Sequence, residues 1–140
     1  MSVGAIIGEL ELLRSEAGGM LHPEKVVDFA RENPESALHS RFEWDDSEAA
    51  ERYRLDQARG IIRAVVTILP NQRGEVVKVR AFISLTGERG YRATVDVFDS
   101  EETAARAMEM LREDVNRLQA KYASFAGLRP VLDRVKEAVG

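Results

Sequence analysis

The chain has 140 residues, a formal net charge of −4, 44% hydrophobic and 31% charged residues, and no cysteine. This length suits one domain whose core needs no metal or disulfide staple, and the missing cysteine excludes disulfides, thiolate nucleophiles and Cys-ligated zinc. No apolar run approaches the roughly 20 residues of a membrane span, and Met1–Ile7 lacks a basic start before Glu9 and Glu11, so neither a secretory leader nor a membrane partner is expected. The net charge hides an asymmetry. Residues 1–48 carry 4 basic and 11 acidic side chains, residues 49–97 carry 9 and 5, and residues 98–140 carry 7 and 8. A basic middle beside an acidic start suits either an anionic partner or self-complementary packing.

Ile6, Ile7, Leu10 and Leu13 recur every three to four residues and predict a first helix over Val3 to Glu16, ended by Gly18-Gly19. Pro23 and Glu24 open a second helix, because proline suits the first turn and a carboxylate suits its positive end. Val26, Val27, Phe29 and Ala30 are its apolar positions, and Asn33-Pro34 stops it. The pair reads as an αα-hairpin and loosely as a helix-turn-helix, but Lys25 and Arg31 are the second helix's only cations, among Glu24, Asp28 and Glu32. A loop with Phe42 and Trp44 follows, and its rings at alternate positions form a hydrophobic staple or a partner hot spot. Asp45 or Asp46 then caps a third helix reaching about Arg59, with Glu48/Arg52, Arg52/Asp56 and Asp56/Arg59 on its outer face.

Alternation replaces helical periodicity over Ile61–Leu69, Val76–Leu85 and Tyr91–Phe98, which are separated by turn chemistry at 70–74 and 86–90. These runs predict a three-stranded antiparallel meander. Ile62, Ala64, Val66 and Ile68, then Val77, Val79, Ala81, Ile83 and Leu85, then Ala93, Val95 and Val97 make an apolar face. The opposite face collects Arg63, Lys78, Arg80 and Arg92, a candidate nucleic-acid contact of clustered cations, with DNA as the partner to test.

Asp99-Ser100-Glu101-Glu102 starts a long helix with a stripe through Ala104, Met108, Leu111, Val115, Leu118, Tyr122 and Phe125, three heptads of a/d spacing. Gly127 breaks it, and Leu128, Leu132, Val135 and Val139 continue in a shorter helix. A three-stranded sheet is too narrow to cover such a stripe. Leu118, Tyr122 and Phe125 are therefore the expected overhang, and a homo-oligomer is expected to cover them. The resulting fold class is α+β in a single domain spanning residues 1–140, with helices over 1–60, a sheet over 61–98 and C-terminal helices over 99–139.

The chemistry-bearing inventory is thin. A metal site drawn from His39, Glu43, Asp45 and Asp46 has no recognised ligand spacing, and the two aspartates read better as a helix cap. Ser40 beside His39 is adjacency without a third orienting group, and phosphate-binding glycine loops are absent. No catalytic residue, metal or cofactor is assigned, and the expectation is a non-enzymatic binding protein acting on DNA or a DNA-processing complex; the alternative is a protein–protein interaction or assembly factor without nucleic-acid contact, and an enzyme comes third.

Leu21-His22-Pro23-Glu24-Lys25-Val26-Val27, then Leu38-His39-Ser40-Arg41-Phe42-Glu43-Trp44-Asp45-Asp46, then Ala49-Ala50-Glu51-Arg52-Tyr53-Arg54-Leu55-Asp56-Gln57-Ala58-Arg59 resemble a group of short tailed-phage and prophage proteins. That group shares L-x-P-E-x-V-V, L-H-x-x-F-x-W-D-D and A-A-x-x-Y-R-x-x-x-A-R, and the likeness covers roughly residues 20–85. The group carries no assigned activity, so no site residue transfers. The resemblance implies only a viral origin and hence expression in the cytoplasm of a bacterial host, where the expected partner, DNA or a phage or host protein, would be met.

Overall fold

Helices and short strands alternate along the chain: α1 (Val3–Glu16), β1 (Met20–Leu21), α2 (Pro23–Glu32), α3 (Glu48–Ala64), β2 (Val66–Pro70), β3 (Val76–Arg80), β4 (Phe82–Ile83), β5 (Tyr91–Ala93), α4 (Thr94–Asp99), α5 (Glu101–Tyr122) and α6 (Arg129–Val139), with a 3-10 turn at His39–Arg41. The computed structural model describes residues 3–44, 48–71 and 73–140, and the side chains of Glu48 and Ala49 are not among them. The predicted cap at Asp45 or Asp46 lies outside the described residues. The α+β class and the long C-terminal helix are as predicted, and the chain divides into two compact units, residues 1–96 and 97–140.

In the first unit the helical stripes supply the core. Ile6, Leu10 and Leu13 of α1, Val26, Val27 and Ala30 of α2, and Ala58 and Ile62 of α3 are buried together with Leu21, Leu38 and Phe82. Gly18 and Gly19 end α1 in the left-handed region, at φ 74° and 104°, where only glycine is unstrained. The chain therefore turns at once into β1, which pairs with β5. At the facing point on the β5 side, a Cβ on Gly90 would stand 3.0 Å from the His22 ring, so this approach of the two segments requires glycine.

The predicted meander is corrected in three respects. Ile61–Ala64 belongs to α3: Ala50, Arg54, Ala58 and Ile62 are buried at steps of four, and this helical period outruns a four-residue alternation that fits either structure. Thr94–Asp99 is helical as well. The Thr94 hydroxyl donates to Arg80 O (2.5 Å) and its amide to Ala81 O (2.8 Å), which ends β5. Val95 and Val97, two residues apart, then lie on opposite sides of a helix at about 100° per residue; Val97 is buried and Val95 exposed. Finally, the strands form two sheets, a hairpin β2-β3 and a three-stranded antiparallel sheet β1-β5-β4.

Among the described residues after α2, 33–44, regular structure is limited to the 3-10 turn, so amides of this stretch need partners from elsewhere. Glu9 of α1 supplies them: its two carboxylate oxygens accept from the amides of Ala37 (2.9 Å) and Leu38 (2.8 Å). In the second unit, the Thr103 hydroxyl donates to Val97 O (2.6 Å), and α5 and α6 pack antiparallel, with Arg112 Nε donating to Val139 O (2.7 Å).

Glu9→Ala should lower stability by about 2 kcal/mol, the cost of stranding partly buried donors, as measured by urea denaturation. Glu9→Gln, with one acceptor oxygen left for two amides, should fall between the two.

Candidate functional site

The β2-β3 hairpin contributes no buried residue among those described. Its turn is fixed from within. The amides of Arg73 and Glu75 donate to Asn71 Oδ1, both at 2.9 Å, and Gly74 takes φ 79°. The register pairs Val66 with Arg80, Ile68 with Lys78 and Pro70 with Val76, so these six side chains share one face. Thr67, Leu69, Val77 and Val79 share the other, which is half-buried. Val66, Ile68 and Val76 are 47%, 63% and 69% exposed.

This register overturns the predicted segregation of the faces. Each strand alternates as expected, but the pairing brings Val66 and Ile68 to the side of Lys78 and Arg80, not to that of Val77 and Val79. A strand's own sequence fixes which residues share a face, and only the partner register decides which face meets which. The result is a ribbon whose outer face is apolar and cationic at once.

The four predicted contact cations are not gathered on that face. Lys78 and Arg80 are there. Arg63 is exposed in the last turn of α3, three residues before Val66. Arg92 lies in the other sheet, opposite Met20 and Ile83, where Nε and Nη2 donate to the two Glu88 carboxylate oxygens at 2.8 and 2.6 Å. That bidentate pair neutralises Arg92. Arg63, Lys78 and Arg80 have no ion-pair partner among the described residues. Arg73 adds an exposed cation at the ribbon's tip.

An open cleft of about 450 Å³ adjoins the ribbon, lined by Val3, Ile6, Ile7, Gly60, Ile61 and Ala64, with Arg41 and Gln57 as polar members. Val66 belongs to both its wall and the ribbon's outer face. The sequence placed Ile7 and Ala64 on apolar faces; periodicity reports which residues share a side and not whether another element covers it.

The Trp loop is bound up in structure. The Trp44 indole donates to His39 O (3.0 Å) and stacks on the His39 ring at 4.8 Å between centroids, tilted 14°. The Phe42 ring lies 5.5 Å away, and the Arg54 and Arg31 guanidiniums sit 5.0 and 5.8 Å from the indole centroid. Arg54, itself buried, donates to Glu43 O (2.7 Å). Glu51 bridges Arg31 (2.6 Å) and Arg54 (3.2 Å), and the Arg31 hydrogen bond holds its carboxyl below the usual range. Trp44 thus meets Arg31 of α2 and Arg54 of α3.

His39 and Ser40 form no dyad. His39 Nδ1 donates to Ala30 O (2.8 Å), whereas the Ser40 hydroxyl donates to Ala37 O (2.8 Å). Among the described residues no three histidine or acidic side chains gather as for a metal, and no helix is long and apolar enough to cross a membrane. In the second unit, Leu118 and Phe125 are exposed and Tyr122 is half-buried, its ring 6.0 Å from Phe125.

No family model matches the chain, and no curated protein or solved structure is similar to it.

Trp44→Ala should cost about 2 kcal/mol, below the 3–5 of a fully buried aromatic because the ring is only partly covered; thermal denaturation measures it. Glu51→Gln tests the bridge by pH. Because the folded carboxyl titrates low, its contribution is complete above the unfolded value of about 4.3 and fades as pH falls through the lower folded value. The melting-temperature gap between wild type and variant should therefore be small but present at pH 7, and close in acid.

Proposed function

We propose that the chain is a non-enzymatic, phage-encoded binding protein of the bacterial cytoplasm, which docks a protein partner through the outer face of the β2-β3 ribbon. The observation that carries this reading is the composition of that face: exposed Val66, Ile68 and Val76 in register with the cations Lys78 and Arg80. Exposed β-branched residues give up hydration when covered, and cations with no ion-pair partner among the described residues select an acidic rim around the covering surface. Pro70, Lys78 and Arg80 discourage another strand from adding at the edge, so the face is the docking element. The phage origin and cytoplasmic setting rest on the resemblance of residues 20–85.

The partner's matching segment is apolar with carboxylates spaced along it. The adjoining cleft extends the apolar contact past Val66 toward Ile61 and Ile7.

DNA contact is the second reading. It is favoured by Arg63, Lys78 and Arg80 without ion-pair partners among the described residues and by Arg73 at the tip, since a two-stranded ribbon fits a major groove. It is the weaker of the two because Arg92 is neutralised by Glu88 and half of the outer face is apolar, whereas phosphate contact rewards charge alone.

One titration series separates the readings. The ¹⁵N-labelled protein is titrated with a short peptide alternating leucine and glutamate, and with a DNA duplex of about 20 base pairs at low and high salt. Protein docking predicts peptide-induced shifts confined to 66–80. A Val66→Thr, Ile68→Thr double variant should weaken them about tenfold, the loss of two apolar anchors. DNA docking predicts shifts that collapse with salt and survive those two substitutions. Ribbon amides that respond to neither probe would remove the ribbon from function.

A further inference from the structure

The α5-α6 hairpin keeps one apolar side open. Arg112 meets Val139 and Gln119 meets Asp133 (3.3 Å), so the helices run antiparallel, and Val115, on the same face of α5 as Arg112 and Gln119, is buried. At about 100° per residue, Leu111 and Leu118 lie about 40° and 60° to one side of Val115, with Arg112 and Gln119 on the other. On α6, Val135 and Val131 lie about 60° and 100° to one side of Leu132, with Asp133 on the other. Viewed along one direction, antiparallel helices turn in opposite senses, so the two sets fall on the same side of the hairpin. Gln119 and Asp133 mark its polar side. Leu111, Leu118, Val131 and Val135 make its apolar side, and all four are exposed.

We infer that this side closes on the same side of a second copy, forming an antiparallel four-helix bundle with its two-fold axis beside Leu118. Charge pattern selects a second copy in this orientation. Asp114 and Lys121 flank Leu118 four residues before and three after it, on the open side. A two-fold axis there sets Asp114 of each copy beside Lys121 of the other, and Leu111 opposite Phe125. A parallel arrangement would set like charges together. Within one chain Asp114 pairs with Arg117 one turn away, and Lys121 lies over the Tyr122 ring at 5.3 Å. Exposed contacts of this kind hold their groups weakly, so both are available to a second copy.

The face is modest in size. It is two helices wide and about 16 Å long over α6, below the span of a standard interface, so the dimer should form at about tens of micromolar. Sedimentation equilibrium across about 5–500 µM should show the mass doubling from 15.6 kDa. Leu118→Glu should shift the midpoint at least about tenfold upward, as placing two carboxylates together at the axis does. Asp114→Lys, an exposed site that leaves the fold intact by circular dichroism, should weaken association about tenfold, and adding Lys121→Asp should restore it. A monomer mass at every concentration would overturn the inference. So would a dimer indifferent to Leu118→Glu, or a charge swap that fails to rescue.

Discussion

The carboxylate of Glu9 lets irregular backbone into the core of the first unit, and the packing of that unit depends on it. Residues 33–44 form neither a long helix nor a strand, yet Ala37, Leu38 and Phe42 from this stretch are buried in the core. Irregular backbone enters a core only where its polar groups find partners. Glu9 reaches from α1 to take the amides of Ala37 and Leu38, Arg54 reaches from α3 to the carbonyl of Glu43, and the Trp44 indole closes on the carbonyl of His39. With those bonds made, Leu38 and Phe42 bury against α1, α2 and α3, and the αα-hairpin acquires a third layer.

That arrangement explains where freedom is left. Arg31, His39, Phe42, Trp44 and Arg54 are consumed in binding the loop to its two helices. The β2-β3 ribbon contributes no buried residue, and its turn is held by Asn71 without help from the core. An element that adds little to burial but exposes Val66, Ile68 and Val76 keeps a composition that stability alone does not favour. This is the physical ground for giving it the binding role.

The two units solve the problem of leftover apolar surface differently. In the first, a buried core absorbs much of it, and the ribbon exposes Val66, Ile68 and Val76 beside cations with no ion-pair partner among the described residues. In the second, a two-helix hairpin has no third layer of its own, because one helix contact buries one stripe and α6 carries no buried residue. Wide amphipathic helices in pairs leave a side open.

The helices were legible in the sequence because their signals are local. Pro23, Gly18-Gly19 and the stripes through Leu10, Val26 and Leu111 set φ, ψ and side-chain periodicity within a few residues of each other. The resulting bounds of α1 and α2 follow from those residues alone. The strands were legible only to a degree. Ile61–Ala64 alternates over too few residues to oppose a helix already running at steps of four, and Thr94 ends β5 through bonds to Arg80 and Ala81, residues thirteen or more positions away. The two-residue β1 has no sequence signature at all. The candidate site lies at the same limit. Lys78 and Arg80 were visible as cations on one face of a strand. That they stand with Val66 and Ile68, and that Arg92 is instead paired with Glu88, is a matter of register and sheet membership. Those are set by hydrogen bonds between segments distant in the chain, and a single strand's periodicity carries no information about them.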